Sequence, residues 1–100
     1  FSALQLGAKG GILALSNMAP GETVEIYRLF RAGDDDKARE LQLRLLPVNQ
    51  RIVGGYGVPG IKCAVEMLGY AGGDPRSPLR PVSREIKESI RRILKEGGLL

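Results

Sequence analysis

Histidine is absent from this chain, and cysteine occurs once, as Cys63. Without imidazole there is no Ser-His-Asp device and no zinc site of the usual Cys/His kind. A single thiol cannot close an internal disulfide, so a reducing, cytoplasmic setting is expected. Aromatic residues make up 5% of the chain and none lies beyond Tyr70. The stretch from Asp74 onward is basic, with seven Lys/Arg against four Asp/Glu. It lacks the stacking rings that a nucleic-acid surface uses, so it reads as a solvated helix and no nucleic-acid partner is expected. Apolar runs extend only a few residues, too short to span a membrane. No basic-then-apolar stretch opens the chain, so no secretory leader is expected.

What remains is the composition of a globular domain. The 100 residues are 43% hydrophobic and 26% charged, which argues against disorder and allows one modest core. "FSALQLGAKGG" reads as the last turns of a helix, with Gly7 as its cap. The sequence is therefore expected to begin within an element. Pro20 suits the first position of a helix, Glu22 favours its positive end, and Gly33 closes it. Val24, Tyr27 and Phe30, with Ile26 and Leu29 beside them, give that helix a broad apolar face.

Asp34 is the expected cap of the next helix. The run of acids in "DDDKARE" complements its dipole better than it forms a metal triad, because consecutive carboxylates radiate in different directions. Ala38, Leu41, Leu45, Val48 and Ile52 recur at intervals of three and four, as a buried seam does. Pro47 within the seam predicts a local bend or break. Pro59 restarts a helix carrying Ile61, Ala64, Val65 and Leu68, closed by Gly69. A proline-spaced connector then leads to Ser83, the cap of a last helix with Ile86, Ile90, Ile93 and Leu94 on one face. Gly97 and Gly98 close it, and Leu99 folds back.

One segment does not suit an all-helical domain. Gly11–Leu15, with Ile12-Leu13-Ala14-Leu15 apolar on both sides, reads as a strand of a parallel sheet covered on both faces. No second strand follows it. The expectation is therefore a fragment of a strand–helix fold, with self-association, strand exchange or dependence on another chain.

Several motifs bear on chemistry. Gly55-x-Gly57-x-x-Gly60 has the spacing of a dinucleotide fingerprint, but a helical period precedes it where a strand is required, so a helix–helix corner is expected. Gly7-x-x-Gly10-Gly11 lacks the Gly-Lys-Ser/Thr ending of a phosphate loop. Pro75-x-x-Pro78-x-Arg80, extended by Pro81, has the period of a polyproline II ligand. The alternative function it suggests is a small helical interaction module presenting that motif. None of the five lysines (Lys9, Lys37, Lys62, Lys87, Lys95) has the strand-end placement of a Schiff-base amine. Cys63 reads as a packing residue. Leu15, Ser16 and Asn17, at the carboxyl end of the strand and in its loop, are the best-placed candidates for a ligand site, with Ile12 as wall or floor.

The order of these motifs resembles a known family. Gly7-Ala8-x-Gly10 precedes the strand, and Asn17-x-Ala19-Pro20 follows it. Ala32-Gly33-Asp34 lies between helices, Pro59-Gly60-x-Lys62 starts one, and Pro78-Leu79-x-Pro81-x-Ser83 enters the last. Together they resemble the C-terminal portion of the dihydrodipicolinate synthase and N-acetylneuraminate lyase superfamily, over essentially the whole chain. "GYGVPGIK" and "GYAGG" are also similar to 4-hydroxy-2-oxoglutarate aldolases within it.

The resemblance implies an α/β fold, a TIM (β/α)8 barrel, of which this chain holds the C-terminal segment and is itself mostly α. Residues 1–33 are then the end of the barrel, and residues 34–100 a C-terminal helical extension. The partners of the Gly11–Leu15 strand would be the seventh and first strands of a closed barrel. The resemblance further implies a pyruvate-dependent class I aldolase or synthase acting through a Schiff base on a lysine, a carbon–carbon lyase chemistry. That lysine, the proton-transferring tyrosine and the carboxylate-binding motif match nothing here, so the segment alone is expected to be inactive, with no catalytic residue of its own. Ile12 is the one site residue carried over, as a wall beside the pyruvate-derived group, with Ser16 and Asn17 as further substrate-binding candidates. No cofactor and no metal are implied. The implied partners are pyruvate or a pyruvate-derived keto acid, and a homo-oligomer, tetrameric in relatives, with some apolar faces serving as interfaces.

Overall fold

Helices form wherever the three-and-four spacing and a cap coincide. In the computed structural model, which describes residues 1–100, α1 is the short turn Ser2–Gln5 and a 3-10 turn spans Ala14–Asn17. α2 covers Pro20–Arg31 and α3 covers Asp35–Val48, continuing into a π-helical turn at Asn49–Gly54. α4 is Gly55–Met67 and α5 is Arg84–Glu96. Gly33 ends α2 with φ 80°, a conformation glycine adopts without a Cβ penalty. There the Asp34 N–H donates back to Leu29 O at 2.9 Å. Asp34 then caps α3, its carboxylate accepting from the Lys37 N–H at 3.4 Å. Ser83 accepts from the Ile86 N–H at 3.3 Å at the start of α5. At the far end the Leu99 N–H reaches Leu94 O at 2.9 Å, folding Leu99 onto the core.

The seam of α3 packs as its spacing dictates. Ala38, Leu45, Val48 and Ile52 are buried. The main core joins Met18, which follows the 3-10 turn, to Val48, Ile52, Ala64, Ile90, Ile93 and Leu94 of α3, the π turn, α4 and α5. A smaller core of Ala19, Ile26 and Leu45 seats α2 on α3. Removing such side chains from water contributes roughly 2 kcal/mol each. Gly97 lies so close to the Val48 side chain that a Cβ there would overlap it. The Tyr56 hydroxyl donates to Ser89 Oγ at 3.0 Å, tying α4 to α5.

Three expectations need correction. First, no strand forms at Gly11–Leu15. A strand needs a ladder, and no other segment of this chain is extended beside it. Leu13 keeps extended backbone at φ −113°, ψ 121°, but Ala14–Asn17 winds into the 3-10 turn. Second, Pro47 does not break α3, which runs through it to Val48. The ladder widens two residues later, into the π turn.

The outer part of the broad α2 face is open. Ile26 is buried, but Val24 is 58% and Tyr27 40% exposed. Third, Pro75–Pro81 is not polyproline II, which has no internal hydrogen bonds. A turn closes with the Leu79 N–H donating to Arg76 O at 3.0 Å. The Glu66 carboxylate accepts the N–H groups of Gly72 and Gly73, each at 2.8 Å, and fixes the start of this connector. The Gly55–Gly60 run is the expected corner: Gly57 has φ 58°, ψ −149°, which separates two helical stretches. The acids at the start of α3 go separate ways. Asp34 pairs with Lys37, Asp36 with Arg39, and Asp35 accepts from Gln5. No group of carboxylates, cysteine or histidine gathers as a metal would need.

Candidate functional site

Gly10, Gly11, Ile12 and Leu13, before the 3-10 turn, form one lip of a groove of about 620 Å³. Phe1 and Leu4 line it near α1, Val24 and Tyr27 from α2, and Leu46 and Asn49 from α3 and its continuation. Ile26 and Leu45 of the smaller core lie at its base. Phe1 is held there by an edge-to-face contact with Phe30, ring centroids 6.3 Å apart, and by Arg39 over its ring.

Most of the groove lining is apolar, and three of its polar side chains are already engaged. Ser16 Oγ donates to Leu13 O at 2.5 Å, and Thr23 Oγ1 to Pro20 O at 3.0 Å. Gln42 Oε1 accepts from the amino group of Phe1 at 3.0 Å. The main chain before the 3-10 turn is unsatisfied. No hydrogen bond of the molecule reaches the N–H or C=O groups of Lys9, Gly10, Gly11 or Ile12.

Of the expected site residues, Ile12 and Ser16 line this groove and Asn17 lies outside it. The Ile12 side chain is fully exposed and touches none of the core. Ser16 and Asn17 both hold the 3-10 turn, Asn17 Nδ2 donating to Ala14 O at 3.0 Å. Leu15 leans onto both cores. Sequence reasoning missed Val24, Tyr27, Leu46 and Asn49 as groove walls. The available clue was the breadth of the α2 face: five apolar residues across two turns are more than one neighbouring helix can cover.

No lysine lines the groove. Lys37 is held by Asp34, Nζ to Oδ2 2.7 Å, which raises its pKa and keeps the amine protonated, the opposite of what a nucleophile needs. Lys62 Nζ donates to Gly72 O at 2.7 Å and serves the connector. Cys63 sits in a separate cleft of about 560 Å³ with Lys87, Arg91 and Asp74. Burial pushes its thiol pKa up, and the two cations only partly oppose this, so it rests as a thiol. The arrangement is an apolar groove with an open backbone lip.

The model of the dihydrodipicolinate synthetase family matches residues 1–97. The chain belongs to that family. It is 39% identical over 97 residues to the 4-hydroxy-tetrahydrodipicolinate synthase of Methanopyrus kandleri, covering 97% of this chain and 32% of that protein. To the synthase of Thermotoga maritima it is 33% identical over 100 residues, covering 34% of that protein. The chain thus spans about a third of the length of the curated relatives it matches.

Solved structures agree. The crystal structure of the Thermotoga maritima dihydrodipicolinate synthase superposes with a TM-score of 0.83 at 34% identity, over 99% of this chain and 34% of that one. A second crystal structure of a dihydrodipicolinate synthase gives 0.84 at 33%, with the same coverage. A synthase described as a monomeric variant also gives 0.84, at 34% identity, over 99% of this chain and 33% of its own. These synthases are TIM barrels, and a helical chain without strands is consistent with a C-terminal segment of one.

Proposed function

We propose that this chain is the closing segment of a pyruvate-dependent Schiff-base aldolase or synthase of the dihydrodipicolinate synthase or 4-hydroxy-2-oxoglutarate aldolase type. The observation that supports this best is the agreement of two comparisons over nearly the whole chain: a family match at residues 1–97 and a TM-score of 0.84 to a solved synthase. In such a reaction a neutral lysine amine condenses with the keto carbon of pyruvate and releases water. Loss of a methyl proton then gives an enamine, which adds to a carbonyl acceptor, or is left behind when a keto acid is cleaved.

The segment supplies the scaffold and not the amine. Residues 1–33 end the barrel and residues 34–100 extend it. Ile12 stands as an apolar wall beside the pyruvate-derived group, with its main-chain carbonyl free, while Ser16 and Asn17 set the turn that follows. Alone the segment is inactive. The assembled enzyme is a cytoplasmic homotetramer.

Two measurements test this reading. Borohydride with labelled pyruvate leaves the 100-residue chain unmodified, whereas stoichiometric labelling of any of its five lysines overturns the proposal. Grafted in place of the matching third of the Thermotoga maritima synthase, the chain yields a chimera that traps pyruvate. A folded chimera that forms no adduct refutes it.

A further inference from the structure

Unpaired charge of both signs meets in the cleft between α4, the connector and α5. Arg28, Lys37, Arg39, Arg44 and Arg51 each pair with a carboxylate. Lys87 and Arg91 pair with none, although both line a cleft of about 560 Å³ that also holds Glu66 and Asp74. They stand four residues apart on α5, so their side chains share one face of the helix. Burial raises the Cys63 thiol pKa and both cations oppose it, which sets them close to α4.

The two carboxylates of the cleft differ. Glu66 Oε1 accepts the N–H groups of Gly72 and Gly73 and is committed to the connector. Asp74 makes no side-chain hydrogen bond and no ion pair, so its oxygens stay open to the cleft. The wall around them is fixed without any ligand. Lys62 Nζ holds Gly72 O at 2.7 Å, and a Cβ on Gly72 would overlap the Lys62 carbonyl. Pro75 and Pro81 lock the backbone φ at two points of the rim.

This donor set selects a ligand chemistry. Two adjacent cations suit phosphate oxygens, the guanidinium as a fork and the ammonium as a point charge. An ionised carboxylate only accepts hydrogen bonds, so Asp74 repels a bare anion and favours a ligand that brings hydroxyl donors. The volume lies in the range of small-molecule sites rather than that of a single ion.

We propose that this cleft binds a small hydroxylated phosphomonoester. Its phosphate lies on Lys87 and Arg91, its hydroxyls on Asp74, and its carbon chain against Met67 and Val82. The cleft shares no lining residue with the groove at α2, so the proposal does not depend on the aldolase reading.

The probe is glycerol 3-phosphate, titrated calorimetrically into the full 100-residue chain. Methyl phosphate, which lacks hydroxyls, and glycerol, which lacks phosphate, are titrated beside it. Glycerol 3-phosphate is expected to bind one-to-one, about tenfold tighter than methyl phosphate, and glycerol not at all. Lys87→Gln and Arg91→Gln alter exposed side chains, so helicity stays unchanged while each weakens both phosphates about tenfold. Asp74→Ala erases the preference between the two phosphates. Bound glycerol 3-phosphate also slows alkylation of Cys63, which lines the same cleft. The absence of saturation by about 20 mM overturns the proposal, as does equal affinity for the two phosphates. Undiminished binding by both glutamine variants, or a preference that survives Asp74→Ala, overturns it too. Binding that leaves Cys63 alkylation unchanged puts the ligand elsewhere and is equally fatal.

Discussion

Ile12 and Ile90 carry the same side chain in opposite surroundings, and truncating each to alanine measures what the fold buries. Ile90 is fully buried in the main core among Val48, Ile52, Ala64, Ile93 and Leu94, whereas Ile12 is fully exposed. Truncation of Ile90 removes three carbons, worth about 0.8 kcal/mol each in transfer, and leaves a cavity between α5 and its neighbours that raises the cost to about 3–4 kcal/mol. Truncation of Ile12 changes stability by less than about 0.5 kcal/mol. Because a domain of this size is stable by only about 5–15 kcal/mol, the first variant loses a large share of its stability. Urea denaturation followed by far-ultraviolet circular dichroism gives both values. With a slope near 1–1.5 kcal/mol per molar, Ile90→Ala lowers the midpoint by about 2–4 M. Equal effects at the two positions, or a cost at Ile12 above about 1 kcal/mol, would refute the reasoning, since either requires Ile12 to be packed.

Further outcomes follow from single contacts. Gly97→Ala places a methyl group into the Val48 side chain and lowers stability by about 1–3 kcal/mol, read as a lower thermal midpoint; an unchanged midpoint means that α3 and α5 are further apart than described. Asp34 has its pKa lowered chiefly by its hydrogen bond with Lys37. Its contribution is therefore present above the ordinary aspartate value of about 3.9 and is lost as pH falls through the lower folded value. The raised pKa of Lys37 carries its part up to alkaline pH, lost as pH rises through the folded value. Asp34→Asn should flatten the acid side of the stability–pH curve, and an unaltered curve argues that the pair does not persist in solution. Cys63 should alkylate with a pH midpoint above that of a small free thiol, because burial raises its pKa; a midpoint below it means the cations Lys87 and Arg91 dominate.

Sequence pattern exposed the helices but misjudged the Gly11–Leu15 segment, for one physical reason. Caps and helical periods are local. Asp34, Ser83, Gly33 and Leu99 act within a few residues of themselves, so their roles are readable from neighbours and recur in the structure. The α3 seam is likewise one face of one helix. A strand is not local: Ile12-Leu13-Ala14-Leu15 has a strand's composition, but its ladder depends on chain that lies elsewhere. In its absence Ser16 and Asn17 draw the end of the segment into a 3-10 turn. The groove was half legible for the same reason. Ile12 and Ser16 line it as strand-end residues do, whereas Val24 and Tyr27 read only as part of a broad apolar face, because periodicity gives the direction of a face without saying what covers it. Pro47 misled through a general rule, since α3 absorbs it and relaxes into a π turn two residues on.

Amide hydrogen exchange of the dilute chain tests most directly whether its backbone lip is unpartnered. The N–H groups of Lys9, Gly10, Gly11 and Ile12 should exchange at close to the rates of an unstructured peptide while those of Ile90, Ile93 and Leu94 stay protected. Protection of the four lip amides comparable to that of α5 would mean the chain satisfies its own extended segment and is no barrel's closing piece.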